Sequence, residues 1–118
     1  MELKYPNMRL ELAEHLTRLS EQGPLDEAGW DEAIHFLFDD THAASDAASL
    51  VGVFLLSDQE AHALSTVVDA IDRVLTLHGT DLTLERYREV SEWGAIKKSA
   101  RSALLGLNPT PNGPVWSA

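Results

Sequence analysis

The sequence of 118 residues contains no cysteine and no long apolar run. The absence of cysteine excludes a disulfide framework and a thiolate that could act as nucleophile or metal ligand. The longest apolar segment, Leu50 to Leu56, includes Gly52 and is far shorter than the roughly 20 residues that a membrane span needs. No basic segment followed by an apolar one marks the N-terminus, so we expect a cytoplasmic protein without a signal peptide.

Basic residues are absent from a large part of the chain. Residues 19–72 contain 12 Asp and Glu but no Lys or Arg, residues 1–18 are neutral overall, and residues 73–118 carry six bases and four acids. The net charge of −10 therefore arises in the middle segment. Because phosphates repel such a molecule, we expect it to bind neither nucleic acid nor an anionic membrane unaided.

This uneven charge has two interpretations. The first is an ordinary acidic surface that the basic C-terminal helices partly neutralise when the chain folds. The second is a surface for docking a cationic partner, since complementary potentials speed encounter and disfavour wrong partners.

Apolar residues recur at helical spacing along most of the chain, which predicts an all-α, compact single-domain bundle of five to six helices. Residues 1–107 form this domain, and the Pro-rich residues 108–118 are predicted to be an extended tail that includes Trp116. The predicted helices, with the capping residues that indicate their ends, are 8–21 (Asn7, Gly23-Pro24), 27–39 (Asp26), 58–78 (Ser57 with Glu60, Gly79), 84–90 (Thr83) and 92–106 (Ser91).

The apolar run from Leu50 to Leu56 has no clear period, and its length suits either a buried strand or a short buried helix. We expect a helix capped by Asp46, because no second strand candidate is present to satisfy the backbone of a lone strand. The same run is also a candidate homodimer surface.

Five carboxylates of the acidic segment are candidates for partner binding. They lie on the second helix or on the loop after it, where the apolar residues already account for the core-facing side. Asp39 and Asp40 also stand at the end of that helix, where the helix dipole disfavours a negative charge, which hints at another use. The candidate residues are Asp31, Glu32, Asp39, Asp40 and Asp46.

A metal site is an alternative use of part of this segment. His35 and Asp39 are four residues apart and share a helix face, and Asp40 and His42 could approach from the adjoining loop. Their spacing matches no established ligand pattern, so a surface His–Asp pair is the competing interpretation.

We expect the other polar and aromatic residues singled out here to have structural roles. Asp58 and His62 are spaced for a weak side-chain pair, and Trp30 and Trp93 belong to apolar helix faces. The basic residues Lys97, Lys98 and Arg101 lie on the solvent side of the last helix, where we expect pairing with the acidic segment. The sequence contains neither a nucleophile elbow nor a glycine-rich phosphate loop, and we predict no enzymatic activity and no cofactor.

Three features resemble small uncharacterised helical proteins of actinobacteria, over roughly residues 8–107. They are the segment Trp30 to Thr41 and the Gln59-Glu60-Ala61 helix entry, together with a Trp93 helix whose small-residue face holds Ala100 and Ala103. The resemblance implies a compact helical domain without an assigned enzymatic activity. More generally, a small acidic helical protein without cysteine resembles the immunity proteins of bacterial toxin–immunity pairs, which often cover basic nuclease toxins with carboxylates.

The sequence thus leads to a small acidic binding protein, most concretely an immunity protein that occludes a cationic toxin domain. The alternatives are a cytoplasmic interaction or regulatory protein, monomeric or homodimeric, and a small metal-binding protein that uses His35, Asp39, Asp40 and His42.

Overall fold

Helices account for the regular secondary structure in the part of the chain that the structure, a computed structural model, describes: residues 3–22, 24–41 and 43–107. A π-helical turn, His35–Asp40, continues the second helix, and a 3-10 turn, Ala47–Leu50, continues the third. The predicted all-α bundle is confirmed. Its helices are α1 (Pro6–Leu19), α2 (Glu27–Ile34), α3 (Ala43–Asp46), α4 (Asp58–His78), α5 (Leu84–Tyr87) and α6 (Trp93–Gly106).

The core forms where α6 packs between α4 and α1, with α2 packed on α1. The apolar stripes predicted for α4 and α6 are buried in this core. The Trp30 ring packs against the rings of Tyr87 and Trp93, with centroid distances of 5.5 and 5.3 Å, and the burial of Trp30 and Trp93 confirms both tryptophans as core residues. The buried stripe residues are Ala61, Leu64, Val67, Val68, Ile71 and Val74 of α4, and Trp93, Ile96, Ala100 and Ala103 of α6.

Helix α1 begins and ends earlier than predicted. Tyr5 is its N-terminal flanking residue and Pro6 its first residue, so Asn7 lies inside the helix and does not cap it. Proline suits this position because its missing N–H would have no helical partner there. The helix ends at Leu19, and Glu21 takes the left-handed conformation with φ 57°. The predicted terminator Gly23 lies outside the described residues.

Helix α2 begins after its predicted capping residue, Asp26. The Asp26 carboxylate accepts a hydrogen bond from the backbone N–H of Gly29 at 2.8 Å, which satisfies one of the free donors at a helix start. The helix and its π turn together run to Asp40, one residue beyond the prediction. Thr41 then leaves the helix in extended conformation, and its hydroxyl donates to the Phe36 carbonyl at 2.8 Å.

The prediction of a helix over the Leu50 to Leu56 run is wrong. After the 3-10 turn the chain reverses at Gly52, which has φ +90° and donates its N–H to the Leu55 carbonyl. The run forms no strand with the N-terminal segment either, but two of its carbonyls, those of Gly52 and Val53, accept hydrogen bonds from the backbone N–H groups of Lys4 and Tyr5. Asp46 ends α3, and its side chain makes no capping hydrogen bond.

The same segment combines buried and half-buried residues. Leu50, Phe54 and Leu55 are buried in the core of their own chain, whereas Val51, Val53 and Leu56 are half-buried. A homodimer through this run stays a prediction. Trp116 and the remainder of the tail lie outside the described residues.

The helices of the C-terminal half agree more closely with the predicted bounds and caps. α4 has its predicted bounds, with the Ser57 hydroxyl accepting from the Glu60 N–H at 3.3 Å and Gly79 ending the helix at φ 87°. α5 is shorter than predicted but is capped by Thr83 as expected. α6 begins at Trp93 with Glu92 as its flanking residue, so Ser91 is not its cap.

Candidate acidic binding surface

The five carboxylates predicted for partner binding are all exposed. For the four on α2 and its π turn, this follows from the buried face of that helix, which turns Trp30, Ala33 and Leu37 toward the core, whereas Asp46 is the last residue of α3. We use the term acidic surface for the side chains of Asp31, Glu32, Asp39, Asp40 and Asp46.

Asp31 and Asp39 share a ridge of this surface. His35 lies between them at helical spacing, and its Nδ1 is 2.7 Å from Asp39 Oδ2, with both side chains more than half exposed. Because Asp31 precedes His35 by one helical turn, it stands on the same side of α2. No contact in the described residues joins Asp40 or Asp46 to this ridge.

Glu32 faces a different neighbour. Its Oε2 lies 3.4 Å from Nη1 of Arg18 on α1, and Nη2 of Arg18 also donates to Glu14 at 2.9 Å. Glu32 is thus partly neutralised by a base outside the acidic segment. Asp31, Asp40 and Asp46 have no ion pair in the described parts of the chain.

Among the described residues, Glu21 is the carboxylate of the acidic segment that the C-terminal bases contact. Its carboxylate is 2.9 Å from Arg88 Nη2 and 3.6 Å from Lys97 Nζ, and the Trp93 indole N–H donates to it at 3.2 Å. Burial raises the pKa of Glu21, but the Trp93 hydrogen bond and the two positive charges outweigh burial and lower that pKa below its ordinary value. Lys98 and Arg101 are exposed and form no ion pair with any described residue.

Most of the acidic segment therefore stays without a basic partner. Of its 12 carboxylates, only Glu21, Glu32 and Glu60 contact a Lys or Arg among residues 3–22, 24–41 and 43–107. The C-terminal helices contact the carboxylate of Glu27, which accepts the Leu84 N–H at 2.8 Å, but leave Asp31, Asp39, Asp40 and Asp46 exposed.

A groove of about 550 Å³ adjoins the acidic surface between α1 and α2. Glu14, Asp26 and Glu32 line it together with Arg18. Three carboxylates thus surround one guanidinium, which gives the groove a net negative charge.

The structure forms only part of the predicted metal cluster. His35 and Asp39 are paired, Asp40 makes no hydrogen bond to either, and His42 lies outside the described residues. Among the described residues, no three His, Asp or Glu side chains converge in a way that could hold a metal ion. The predicted Asp58–His62 contact is likewise not formed there, and both residues are exposed.

Sequence reasoning missed two buried polar residues of α1 and one of α4. Arg9 forms a buried ion pair with Glu60, to which the prediction assigned only a capping role. His15 is buried against Phe36 with a ring-centroid distance of 4.9 Å. A signal was present in the helical register, because these polar residues fall at positions in phase with the buried apolar stripes of their helices.

The described part of the chain contains no helix long and apolar enough to cross a membrane. Residues 3–113 match a family described as a domain of unknown function (DUF7945). Because the match spans nearly the whole chain, the chain belongs to this family. Neither the curated proteins nor the solved structures gave a significant match.

Proposed function

We propose that this DUF7945 protein is a non-catalytic binding protein that docks a cationic protein partner on its acidic surface. Its most concrete form is a cytoplasmic immunity protein that neutralises a toxin domain by occlusion. The observation that carries the proposal is the exposure of Asp31, Asp40 and Asp46 without a basic partner in the described residues, although the chain has six bases after residue 72.

In occlusion, this protein would contact the groups on the partner that otherwise bind the partner's own substrate. Lys and Arg side chains that hold phosphates present a positive surface, which the carboxylates of α2 and its π turn would cover. Close charge pairs of this kind couple by about 1.5–7 kcal/mol each when the interface removes water from them. A few such pairs suffice for tight inhibition without any chemical step.

The groove between α1 and α2 supports a specific arrangement. Glu14 and Glu32 hold Arg18 at 2.9 and 3.4 Å in the free protein. An incoming Lys or Arg can enter beside Arg18 and share these carboxylates, because each carboxylate accepts several hydrogen bonds. The neighbouring ridge of Asp31 and Asp39 would then contact the rim of the partner.

The acidic surface can be tested without the natural partner, with an oligolysine peptide as probe. The variant Asp39→Asn/Asp40→Asn removes two charges from the surface, and the control Asp69→Asn/Asp72→Asn removes two exposed charges from α4. We expect the first variant to weaken peptide binding about three- to tenfold at low salt and the control to change it less than about twofold, because nearby pairs dominate over net charge. Equal losses in both variants would overturn the proposal of a localised surface.

The immunity function needs a separate test in cells. The toxin-like domain encoded next to this gene, where the neighbourhood contains one, is expressed from an inducible promoter with and without this protein. Growth rescue by the wild type and by Asp69→Asn/Asp72→Asn, with reduced rescue by Asp39→Asn/Asp40→Asn, is the expected pattern. Growth arrest that the wild-type protein fails to relieve would contradict the immunity function while leaving the acidic surface open to another partner.

A further inference from the structure

His15 is a buried imidazole at the contact between α1 and the π turn. The residue is 4% exposed, and its ring lies 4.9 Å from that of Phe36 at an interplanar angle of 47°. Phe36 packs in turn edge-on against Phe54 at 5.9 Å. This aromatic contact holds α1 against the turn that ends in Asp39 and Asp40, two residues of the acidic surface.

Neither ring nitrogen of His15 has a hydrogen-bond partner in the described part of the chain. The carboxylate of Glu11 is 3.7 Å from Nε2, beyond hydrogen-bond distance, and is itself more than half exposed. The other charged groups that act on the imidazole are Arg18 and Glu14 on its own helix and Glu32 on α2.

This environment favours the neutral imidazole. Burial lowers the pKa of His15 below its ordinary value, and the positive charge of Arg18 acts in the same direction. The carboxylates of Glu11, Glu14 and Glu32 oppose the shift without reversing it. A proton on His15 would therefore place a charge against Phe36 without a hydrogen-bonded partner.

We propose that the His15–Phe36 contact is an acid-sensitive switch, in which protonation of His15 separates α1 from the π turn and displaces Asp39 and Asp40. The consequence for partner binding rests on the proposed function, whereas the opening itself does not. The direction follows from linkage: the folded state binds the proton more weakly than the open state does. The contact is therefore fully stabilising above about pH 6.5, the ordinary imidazole pKa, and weakens as the pH falls below it.

Hydrogen exchange of the amides in residues 36–41, expressed as protection factors, measures this opening directly. Between about pH 7.5 and pH 5.5, wild-type protection should fall by at most about tenfold, because the lower limit lies one pH unit below the ordinary imidazole pKa. His15→Gln and His15→Leu, which do not titrate, should show no such fall, and the leucine variant keeps the site filled with an apolar side chain. His35→Gln changes an exposed histidine on the same turn and should retain the wild-type response.

Two results would overturn the switch. One is wild-type protection that stays constant or rises on acidification, as expected if Glu11 moved to pair with a protonated His15. The other is an equal loss of protection in wild type and in both His15 variants.

Oligolysine binding separates this inference from the proposed function. The comparison is made in a His35→Gln background, which removes the histidine beside Asp39. If the acidic surface binds the peptide, affinity should fall more between about pH 7.5 and pH 5.5 when His15 is present than when it is replaced by leucine, since neither lysine nor ordinary carboxylates titrate there. If Asp39→Asn/Asp40→Asn already binds the peptide as well as wild type at neutral pH, the proposed function fails, and the exchange data alone decide the switch.

Discussion

Arg9 and Glu60 meet as a bidentate ion pair inside the protein, with Nη1–Oε1 at 2.6 Å and Nη2–Oε2 at 2.8 Å. Arg9 is 1% exposed and Glu60 7%. Arg9 Nη1 also donates to the Phe54 carbonyl at 3.1 Å, and Glu60 Oε1 accepts the Leu56 N–H at 2.7 Å. One pair of side chains thus joins α1, the loop after the 3-10 turn and the first turn of α4.

Removing one member of this pair should destabilise the protein strongly. Glu60→Leu leaves the Arg9 guanidinium buried without its carboxylate, and we expect the free energy of unfolding to fall by about 3–5 kcal/mol. The double variant Arg9→Met/Glu60→Leu should recover much of this loss, because no buried charge remains. Urea unfolding of the wild type, the double variant and the single variants Arg9→Met and Glu60→Leu gives the coupling energy between the two side chains.

The exposed pair of Glu14 and Arg18 is the control for this prediction. Glu14→Gln should change the free energy of unfolding by less than about 1 kcal/mol, because water screens the pair. Additive losses from Arg9→Met and Glu60→Leu in the double variant would show that the two side chains stabilise the fold independently.

The ion pairs of Glu21 should make a pH-dependent contribution to the free energy of unfolding. Glu21→Gln keeps the shape of the side chain but removes the charge that faces Arg88 and Lys97, at an expected cost of about 0.5–1 kcal/mol near neutral pH. Because the pKa of Glu21 is lowered in the folded state, its contribution is complete above the ordinary carboxyl pKa and disappears as the pH falls through the lowered value. Urea unfolding from neutral to acidic pH should show the two proteins converging; a gap that persists at the acidic end would contradict an ionic origin.

Mutation can compare Asp26, which caps α2, with Asn7, which does not cap α1. Asp26→Ala removes the acceptor for the Gly29 N–H and should lower the free energy of unfolding by about 0.5–2 kcal/mol. Asn7→Ala alters an exposed position inside α1 and should remain within about 0.5 kcal/mol of the wild type. Thermal unfolding followed by circular dichroism distinguishes the two, and comparable losses would mean that Asn7 contributes to the start of α1.

Two glycines should respond to alanine in opposite directions. Gly94 lies in the first turn of α6 with open space where the methyl group of an alanine would stand, so Gly94→Ala should raise the free energy of unfolding by about 0.4–1 kcal/mol. Gly79 ends α4 at φ 87° and ψ 172°, a region that only glycine occupies readily, so Gly79→Ala should be destabilising by about 1–3 kcal/mol. Melting temperatures that move in the same direction for both variants would contradict this assignment of backbone strain.

The sequence predicts correctly those elements whose determining contacts lie close together along the chain. α4 was predicted to the residue because a cap, a periodic stripe and a terminal glycine all lie within or next to the helix. The run from Leu50 to Leu56 was predicted wrongly because its backbone partners, Lys4 and Tyr5, stand far away in sequence. No local pattern reports that pairing.

The same distinction applies to the acidic surface. Its exposure follows from the amphipathic pattern of α2, and the His35–Asp39 contact follows from helical spacing. The contact of Glu32 with Arg18 depends on how α2 packs on α1, and the contacts of Arg88 and Lys97 with Glu21 depend on how helices distant in sequence pack. Charge counting along the chain therefore locates the uncompensated segment but cannot assign individual ion pairs within it.

The packing of α1 against α6 has a consequence for the order of events during synthesis. α1 is translated first, but the helix that covers its apolar stripe, α6, is translated last among the described elements, and its ion-pair partner Glu60 follows Arg9 by 51 residues. Until α6 emerges, α1 therefore lacks its contacts with α6, although α2 can already pack on it, and incompletely covered apolar residues make nascent chains prone to aggregate. We expect α4 and α6 to associate first, because only the short α5 and its loops separate them, and the contact between α6 and α1, the last and first described helices, to form at the final step.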